Sequence, residues 1–117
     1  MAYDEKLAAR LRTLLAGRSG LTEKKMFGGL AFFINGNMAV GVLKDEMVVK
    51  YLRERESALL ARPGARPFDF TGKPMSGILL VHPSALAGED DLAEWIEPGL
   101  AAAASKPPKT KKARPKK

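Results

Sequence analysis

The chain has 117 residues, of which 45% are hydrophobic, and its formal net charge is +7. This length and composition predict one domain with a sizeable core and exclude two independent domains. The absence of cysteine excludes disulfides, thiolate catalysis and cysteine metal sites, and it is compatible with a reducing cytosol. The N-terminus lacks an apolar signal core and no apolar stretch approaches a membrane span, so we expect a cytoplasmic protein with no membrane contact.

The excess positive charge is confined to the end of the chain. Residues 1–105 hold 13 basic and 13 acidic residues and are therefore neutral, whereas the last twelve residues hold seven cations. These cations are Lys106, Lys109, Lys111, Lys112, Arg114, Lys116 and Lys117. A segment of Lys, Pro and Thr cannot build a core, and its like charges repel one another. We therefore predict one domain over residues 1–105 and a disordered basic tail over residues 106–117.

The first elements are a helix and a strand. Leucines at helical spacing predict an amphipathic helix over about residues 4–16, with Asp4 as its N-cap. Residues 22–27 are predicted to form a strand. It leads into Gly28-Gly29, where a glycine pair indicates a kink, a bulge or a close backbone approach.

A β-hairpin follows, and the rest of the chain is organised around it. Two apolar runs, residues 30–34 and 38–43, flank Asn35-Gly36, and this dipeptide between apolar runs predicts a hairpin because both residues tolerate positive φ. Within the first run, Leu30 and Phe32 point to one face of the sheet and Ala31 to the other, so both faces are apolar. We expect helices to cover one face and a further element or a second copy of the protein to cover the other.

The second half of the chain alternates strands and helices. Residues 47–51 are predicted to form a strand that completes a meander, and residues 53–61 a helix. Residues 62–75 have abundant turn chemistry and are interpreted as an ordered loop anchored by Phe68 and Phe70. The apolar run 77–81 predicts a buried strand.

A final helix is predicted to begin at Glu89. Three consecutive acids lie at its start, where a helix favours negative charge, and capping is a better interpretation of them than a metal site. Pro98 removes one backbone hydrogen bond, which costs about 3 kcal/mol if nothing relieves it. The helix is therefore expected to kink, or to break at Glu97 and restart.

Two motifs, together with the order of the predicted elements, resemble the N-terminal domain of the TfoX/Sxy family. They are Lys-Met-Phe-Gly-Gly at 25–29 and Pro-Gly-Ala-Arg-Pro at 63–67, followed by the acidic helix start and Trp95. The resemblance covers about residues 1–105. It implies an α+β fold of a helix, an antiparallel meander of three to four strands, a second helix, one further strand and a C-terminal helix. The best-known members are bacterial regulators of natural competence that act with other transcription factors, and the resemblance implies no catalytic residues.

Two functional hypotheses stay open. The first is a non-enzymatic regulatory module, a homodimer through one sheet face, that works with a transcription-factor partner. Its seven tail cations would bind DNA nonspecifically, because phosphates require charge but no base-specific geometry; the alternative for the tail is a solubilising segment. The second hypothesis is a small-ligand binder or enzyme with a pocket near the 62–75 loop, where Arg66, Lys73 and Tyr51 supply the polar groups.

Few residues are candidates for specific chemistry. Arg62 and Arg66 flank Pro-Gly-Ala and are candidates, with Lys73, to cradle an anion, or else they pair with acids such as Asp69. His82 is a single histidine, which cannot by itself supply the ligands that a metal needs, so it is predicted to be a structural residue at a strand end. The glycine-containing segments lack the context of a phosphate-binding loop. We therefore predict neither a metal site nor a cofactor.

Overall fold

The computed structural model of the protein describes residues 3–26, 28–68 and 75–105. Within these ranges the elements are α1 (Glu5–Leu15), β1 (Leu21–Met26), β2 (Gly29–Ile34), β3 (Asn37–Leu43), β4 (Glu46–Lys50), α2 (Glu56–Leu60), β5 (Ala65–Phe68), β6 (Met75–Val81) and α3 (Glu89–Ala104). Short 3-10 turns, Arg53–Arg55 and Pro83–Ala85, precede α2 and α3. The predicted α+β class is confirmed. The predicted basic tail lies outside the described residues.

The N-cap predicted for α1 is confirmed by its hydrogen bonds. The carboxylate of Asp4 accepts from the backbone N–H of Lys6 at 2.8 Å and of Leu7 at 3.1 Å. These bonds satisfy two of the N–H groups that a helix leaves without partners at its first turn. One face of the helix, with Leu7, Leu11 and Leu15, is buried.

The predicted hairpin is formed by β2 and β3. Asn35 and Gly36 adopt φ of 52° and 83°, the left-handed conformation that a two-residue hairpin turn requires at both positions. Phe32 is opposite Val40 and Phe33 is opposite Met38, so Ala39 is one extra residue in β3. This bulge, which the apolar pattern did not reveal, turns Ala39 and Val40 together into the core.

All six strands join one antiparallel sheet in the order β1-β2-β3-β4-β6-β5. We call the face that packs on the helices the inner face; one of its rows, in register, is Leu30, Val42, Met47 and Val81. The opposite, outer face carries the row Ala31, Gly41, Val48 and Leu80. Among the residues that the structure describes, the helices contribute their buried side chains to the inner core. Helical cover of one sheet face is thus confirmed.

The interpretation of residues 62–75 as a loop is wrong for five of them, because Met75 begins β6 and four others form a further strand. Ala65–Phe68 form β5, which pairs with β6 at the edge of the sheet. An edge strand tolerates Pro67, because its missing N–H is not needed where no further strand follows. The turn-rich composition hid this strand. Asp69, Phe70 and Lys73 lie outside the described residues.

The predicted break at Pro98 is also wrong, since α3 is one continuous helix from Glu89 to Ala104. Pro98 lacks the N–H that would bind the carbonyl oxygen of Glu94, four residues earlier. Arg62 lies over this position: its Nη1 donates to the Glu94 carbonyl at 3.5 Å, and its guanidinium carbon lies 4.9 Å from the centroid of the Trp95 ring. A side chain from outside the helix therefore replaces part of the missing interaction.

Gly99 allows α3 to approach the sheet closely. A Cβ atom at this position would collide with the carbonyl oxygen of Ala39 and would lie 2.6 Å from Cγ1 of Val40. The β3 bulge thus faces the one turn of α3 that carries Pro98 and Gly99, and both residues are buried. The buried Pro98-Gly99 pair therefore permits close packing of α3 against the bulge in β3.

Candidate functional site

Arg62 and Arg66, predicted as anion ligands, have protein partners in different places. Arg66 forms a bidentate ion pair with Glu46, with Nη2 to Oε1 at 2.6 Å and Nε to Oε2 at 3.3 Å. Arg62 stacks on Trp95 and donates to a backbone carbonyl. The structure therefore does not bring these two guanidiniums together around an anion. Their predicted companion Lys73 lies outside the described residues.

Other arginines of the domain also pair with carboxylates. Arg55 donates two hydrogen bonds to Glu97, and these bonds, together with the nearby positive charge, lower the pKa of the Glu97 carboxyl. The side-chain hydrogen bond with Glu23 raises the pKa of Arg12. Arg10 lies 3.6 Å from a carboxylate oxygen of Glu89. Four arginines of the described residues are thus held in specific ion pairs.

A cleft of about 410 Å³ lies at one end of the sheet, where β3 and β6 begin, β4 ends and α3 ends. Its walls combine the hairpin turn, the segment that follows β4 and the last turn of α3. The described lining residues are Phe33, Gly36, Asn37, Met38, Lys50, Tyr51, Leu52, Arg53, Gly77, Ala102 and Ser105. This cleft brings together residues that are up to 72 positions apart in the sequence.

Two hydrogen-bonded side chains fix the wall formed by α3. Asn37 is 2% exposed, and its Nδ2 donates to the carbonyl oxygen of Ala103 at 3.3 Å, which ties the start of β3 to the end of the helix. The hydroxyl of Ser105 donates to the carbonyl oxygen of Ala102 at 2.7 Å. These bonds satisfy carbonyl groups that a helix otherwise leaves open at its last turn.

Tyr51 is a packed wall of the cleft, with 5% of its surface exposed. Its backbone N–H donates to the carbonyl oxygen of Gly77 at 3.1 Å. Burial raises the pKa of the phenol, and a hydrogen bond with the Glu56 carboxylate raises the pKa further. The phenol is therefore protonated at neutral pH and directed to Glu56. This arrangement suits a structural hydrogen-bond donor better than a general base.

The cleft is positively charged. Lys50 and Arg53 line it, and the other described lining residues are uncharged. Arg53 forms no ion pair with any residue in the described ranges, and its charge lies close enough to act on the Tyr51 phenol. Ser105, another lining residue, is directly followed in the sequence by the seven cations of the tail. The described lining of the cleft thus contains two basic residues and no acidic residue.

Tyr51 is the one lining residue that the sequence predicted as part of a pocket, together with Arg66 and Lys73, which do not line this cleft as described. The local signal for the cleft was the segment Lys50-Tyr51-Leu52-Arg53, in which two cations flank an aromatic residue at the end of a strand. The contribution of α3 and of the hairpin turn had no local signal. It depends on the hydrogen bond between Asn37 and Ala103.

The described residues contain no group of three or more His, Asp or Glu side chains placed to hold a metal ion. His82 lies at the end of β6, as predicted, where its Nδ1 accepts from the backbone N–H of Ser84 at 3.1 Å and caps a 3-10 turn. The three predicted acids occupy the first turn of α3. Across the described ranges, each helix is too short or too polar to cross a membrane.

Comparison with protein families gives one match. The family model of the TfoX N-terminal domain matches residues 13–103. Comparison with curated proteins found no match, and comparison with solved structures found none either. The matched region contains both sequence motifs, the whole sheet and almost all of α3, so it covers most of the described fold. The chain therefore belongs to the TfoX N-terminal domain family.

Proposed function

We propose that the protein is a non-enzymatic regulatory module that binds DNA nonspecifically through its basic tail. The observation that carries this proposal is the segregation of charge: residues 1–105 are neutral, and the tail holds the entire excess of +7. Phosphate backbones attract such a segment without any folded geometry, because the affinity comes from counterion release. Membership of the TfoX N-terminal domain family supports the regulatory part of the proposal.

In this proposal the tail anchors the module near DNA and the folded domain binds a protein partner. The known regulators that the chain resembles act in natural competence together with other transcription factors. A cytoplasmic transcription factor is therefore the class of partner that we propose for this domain. Four of the seven arginines in residues 1–105 form ion pairs with carboxylates of the same chain, and this internal pairing supports a role in protein recognition for the folded part.

The test is a DNA titration of the full chain and of a full-length variant in which the seven tail cations are replaced by glutamine. If all seven bind phosphates, log K of the wild type falls with log salt at a slope of about −6, and the variant loses this dependence. A matched control has the tail residues in a permuted order with the same composition. It keeps the affinity and the slope if the binding is nonspecific. Retention of DNA by the neutral-tail variant would contradict the proposal.

We further propose that the module is a homodimer in which the outer faces of two sheets pack together. Ala31, Val48 and Leu80 are buried within this face but do not belong to the core under the helices. Around them lie the half-buried apolar side chains of Phe33, Met38, Leu43 and Ile78. Six strands that lie about 4.8 Å apart and are about five residues long give the whole sheet a projected area of roughly 450 Å². This area is of the same order as the roughly 800 Å² that each partner buries in a standard interface. A two-fold axis lets one apolar patch cover its own copy.

The dimer is tested by the mass of the full chain in solution over a range of concentrations. We expect twice the chain mass of 12.7 kDa for the wild type and the single chain mass for a Leu43→Lys/Ile78→Lys variant. Ala93→Lys is the control, because it adds positive charge at an exposed position of α3. A wild type that stays at the single chain mass at every concentration would exclude the dimer.

A further inference from the structure

The two edge strands of the sheet, β1 and β5, differ in what they offer to a further strand. Successive residues of a strand direct their N–H and C=O groups to opposite sides, so every second residue of an edge strand faces outward. At the start of β5, the carbonyl oxygen of Gly64 accepts from the N–H of His82 at 2.8 Å. The outward residues are therefore Ala65 and Pro67. The N–H of Ala65 donates to the carbonyl oxygen of Arg62 at 3.2 Å and Pro67 has no N–H, so neither offers a donor to a further strand.

At the other edge, β1 keeps its outward backbone groups available. The carbonyl oxygen of Gly20 accepts from the N–H of Asn35 at 2.9 Å, so Gly20 faces β2. In the register of the pair, Thr22 and Lys24 are the next residues that face β2. The outward residues are Leu21, Glu23 and Lys25. Within the described ranges, no backbone hydrogen bond from outside β2 reaches these three residues, so their N–H and C=O groups are available to a further strand.

This edge is accessible to a partner. Residues 22–25 are exposed. The outward backbone groups lie in the plane of the sheet, whereas the proposed dimer packs on its outer face. A strand added to β1 and a second copy on the outer face therefore use different surfaces of the domain.

Two adjacent lysines give the edge a positive charge. Lys24 lies opposite Ala31 and points to the outer face, so Lys25 points to the inner face. Both lysines are exposed, and neither forms an ion pair with a residue of the described ranges. Glu23, which lies next to them, is already paired with Arg12 at 2.9 Å. An added strand therefore meets one lysine on each face of the sheet.

These positions define the sequence that a partner strand needs. Consecutive residues of a strand point to opposite faces, so two consecutive acids can meet both lysines. The five described strand pairs are antiparallel, and in an antiparallel partner the acid opposite Lys25 precedes the acid opposite Lys24. Leu21 is half-buried against the core, and an apolar residue three positions after the second acid lies opposite it. We propose that β1 binds an extended segment of a partner protein with the pattern acid-acid-x-x-apolar, which adds a seventh strand to the sheet.

A second copy of β1 and the tail of the chain fit this edge less well. The antiparallel register that aligns the outward residues of two copies puts each Glu23 opposite its counterpart, and like charges in that position destabilise a sheet. Residues 106–117 hold seven cations and no acid, so they would bring positive charge against Lys24 and Lys25. Charge complementarity therefore favours an acidic segment of another protein.

This inference deepens the proposed function, because it names the surface on which the folded domain binds its protein partner. The probe is the end-blocked peptide Thr-Val-Asp-Glu-Thr-Thr-Val-Thr. It is titrated into the wild type and into the full-length neutral-tail variant, in which its acids have no tail cations to bind. Amide hydrogen exchange is recorded with and without the peptide.

The expected exchange pattern alternates along β1. In the free protein, the amides of residues 22 and 24 are protected by their bonds to β2, and those of residues 21, 23 and 25 exchange fast. We expect a saturating concentration of peptide to slow exchange of residues 21, 23 and 25 by about tenfold or more. A peptide that bound only through its charges would leave this alternation unchanged.

Matched substitutions test the role of charge. The peptide with Asn-Gln in place of Asp-Glu should bind about fivefold more weakly. Lys24→Glu/Lys25→Glu should weaken the acidic peptide by about tenfold or more. Lys6→Glu/Arg18→Glu, which reverses two exposed cations elsewhere, should change its affinity by less than about twofold.

A proline tests the backbone contact. Lys25→Pro removes an outward N–H without removing a bond to β2, in the way that Pro67 is tolerated at the other edge. Lys25→Gln is the control, because it removes the charge but keeps the N–H. We expect the peptide to bind Lys25→Pro about fivefold or more weakly than Lys25→Gln.

Each alternative has its own result. The inference is overturned if residues 21, 23 and 25 gain no protection, if residues 22 and 24 gain as much, or if the neutral peptide binds as tightly as the acidic one. Binding to the wild type but not to the neutral-tail variant would assign the peptide to the tail and overturn it too. So would protection of residues 21, 23 and 25 that appears without peptide and grows with protein concentration, because a second copy would then occupy the edge. The DNA titration tests the tail independently, so failure of one proposal is distinguishable from failure of the other.

Discussion

The two faces of the sheet are both apolar, but they are packed in different ways. On the inner face, Val40, Val49 and Leu79 are fully buried under the helices. On the outer face, Phe33, Leu43 and Ile78 keep part of their surface accessible. Folding of the described residues explains the inner side chains, since burying them stabilises the domain. It does not explain the accessible apolar side chains of the outer face, which are the ones that the proposed dimer would cover.

The largest expected effect comes from disturbing the contact between α3 and the inner face. Gly99→Ala places a methyl group against the carbonyl oxygen of Ala39 and against Cγ1 of Val40. Backbone atoms cannot rotate away as a side chain does, so the helix or the bulge must shift. We expect the free energy of unfolding to fall by about 3 kcal/mol, at the upper end of overpacking costs. Chemical denaturation of the full chain measures this change.

The control for this substitution separates packing from helix propensity. Alanine is the better helix former by about 1 kcal/mol, so propensity alone predicts that Gly99→Ala stabilises the helix. Ala93→Gly, at an exposed position of the same helix, reports propensity without the contact and should destabilise by about that amount. A stabilising Gly99→Ala would show that α3 does not approach β3 as closely as the structure has it.

Neighbouring residues on β6 compare the two faces directly. Leu79 is 0% exposed on the inner face, and Ile78 is half-buried on the outer face. Leu79→Ala leaves a cavity under the helices and should cost about 3 kcal/mol, whereas Ile78→Ala in an isolated chain should cost less than about 2 kcal/mol. If a second copy covers the outer face, the cost of Ile78→Ala increases with protein concentration. Equal costs for the two substitutions at low concentration would contradict the distinction between the faces.

A smaller effect is expected where Arg62 covers the interruption at Pro98. Arg62→Met keeps an apolar stem over Trp95 but removes the donor to Glu94, and we expect a loss of about 1 kcal/mol in the free energy of unfolding. In a Pro98→Ala background, residue 98 supplies an N–H to the same carbonyl. The cost of Arg62→Met should then decrease, with a coupling of about 0.5 kcal/mol or more. Additive effects of the two substitutions would show that Arg62 does not substitute for the missing hydrogen bond.

Local patterns in the sequence predicted the elements that are stabilised locally. The Asn35-Gly36 turn, the Asp4 cap and the apolar runs of β2 and β3 each combine residues that are close along the chain, and they were confirmed. The misses depend on contacts between distant segments. The strand β5 exists because the edge of β6 is available to it, and α3 continues through Pro98 because Arg62 lies beside it.

The same distinction applies to the site. Arg62 and Arg66 attracted attention because they flank a turn motif, and both have intramolecular partners that lie 20 or more positions away. The cleft that the structure contains is assembled from the hairpin turn, the end of β4 and the end of α3. The charge composition predicted a basic tail but gave no indication of the cleft. The tail, which carries the excess charge, begins where Ser105 ends the described domain.

The smallest expected effect concerns the solvent side of the helix that covers the inner face, where Arg55 pairs with Glu97. This pairing lowers the pKa of the Glu97 carboxyl, so the folded state favours the ionised form. The stabilisation is present above the ordinary carboxyl pKa of about 4.3 and is lost as the pH falls through the lowered value. Because the Glu97 side chain is 57% exposed, solvent screens the pair and we expect less than about 1 kcal/mol. Unfolding of wild type and Glu97→Gln should differ at pH 7 and converge in acid. A difference that grows as the pH falls would show that the carboxylate is not stabilised by Arg55.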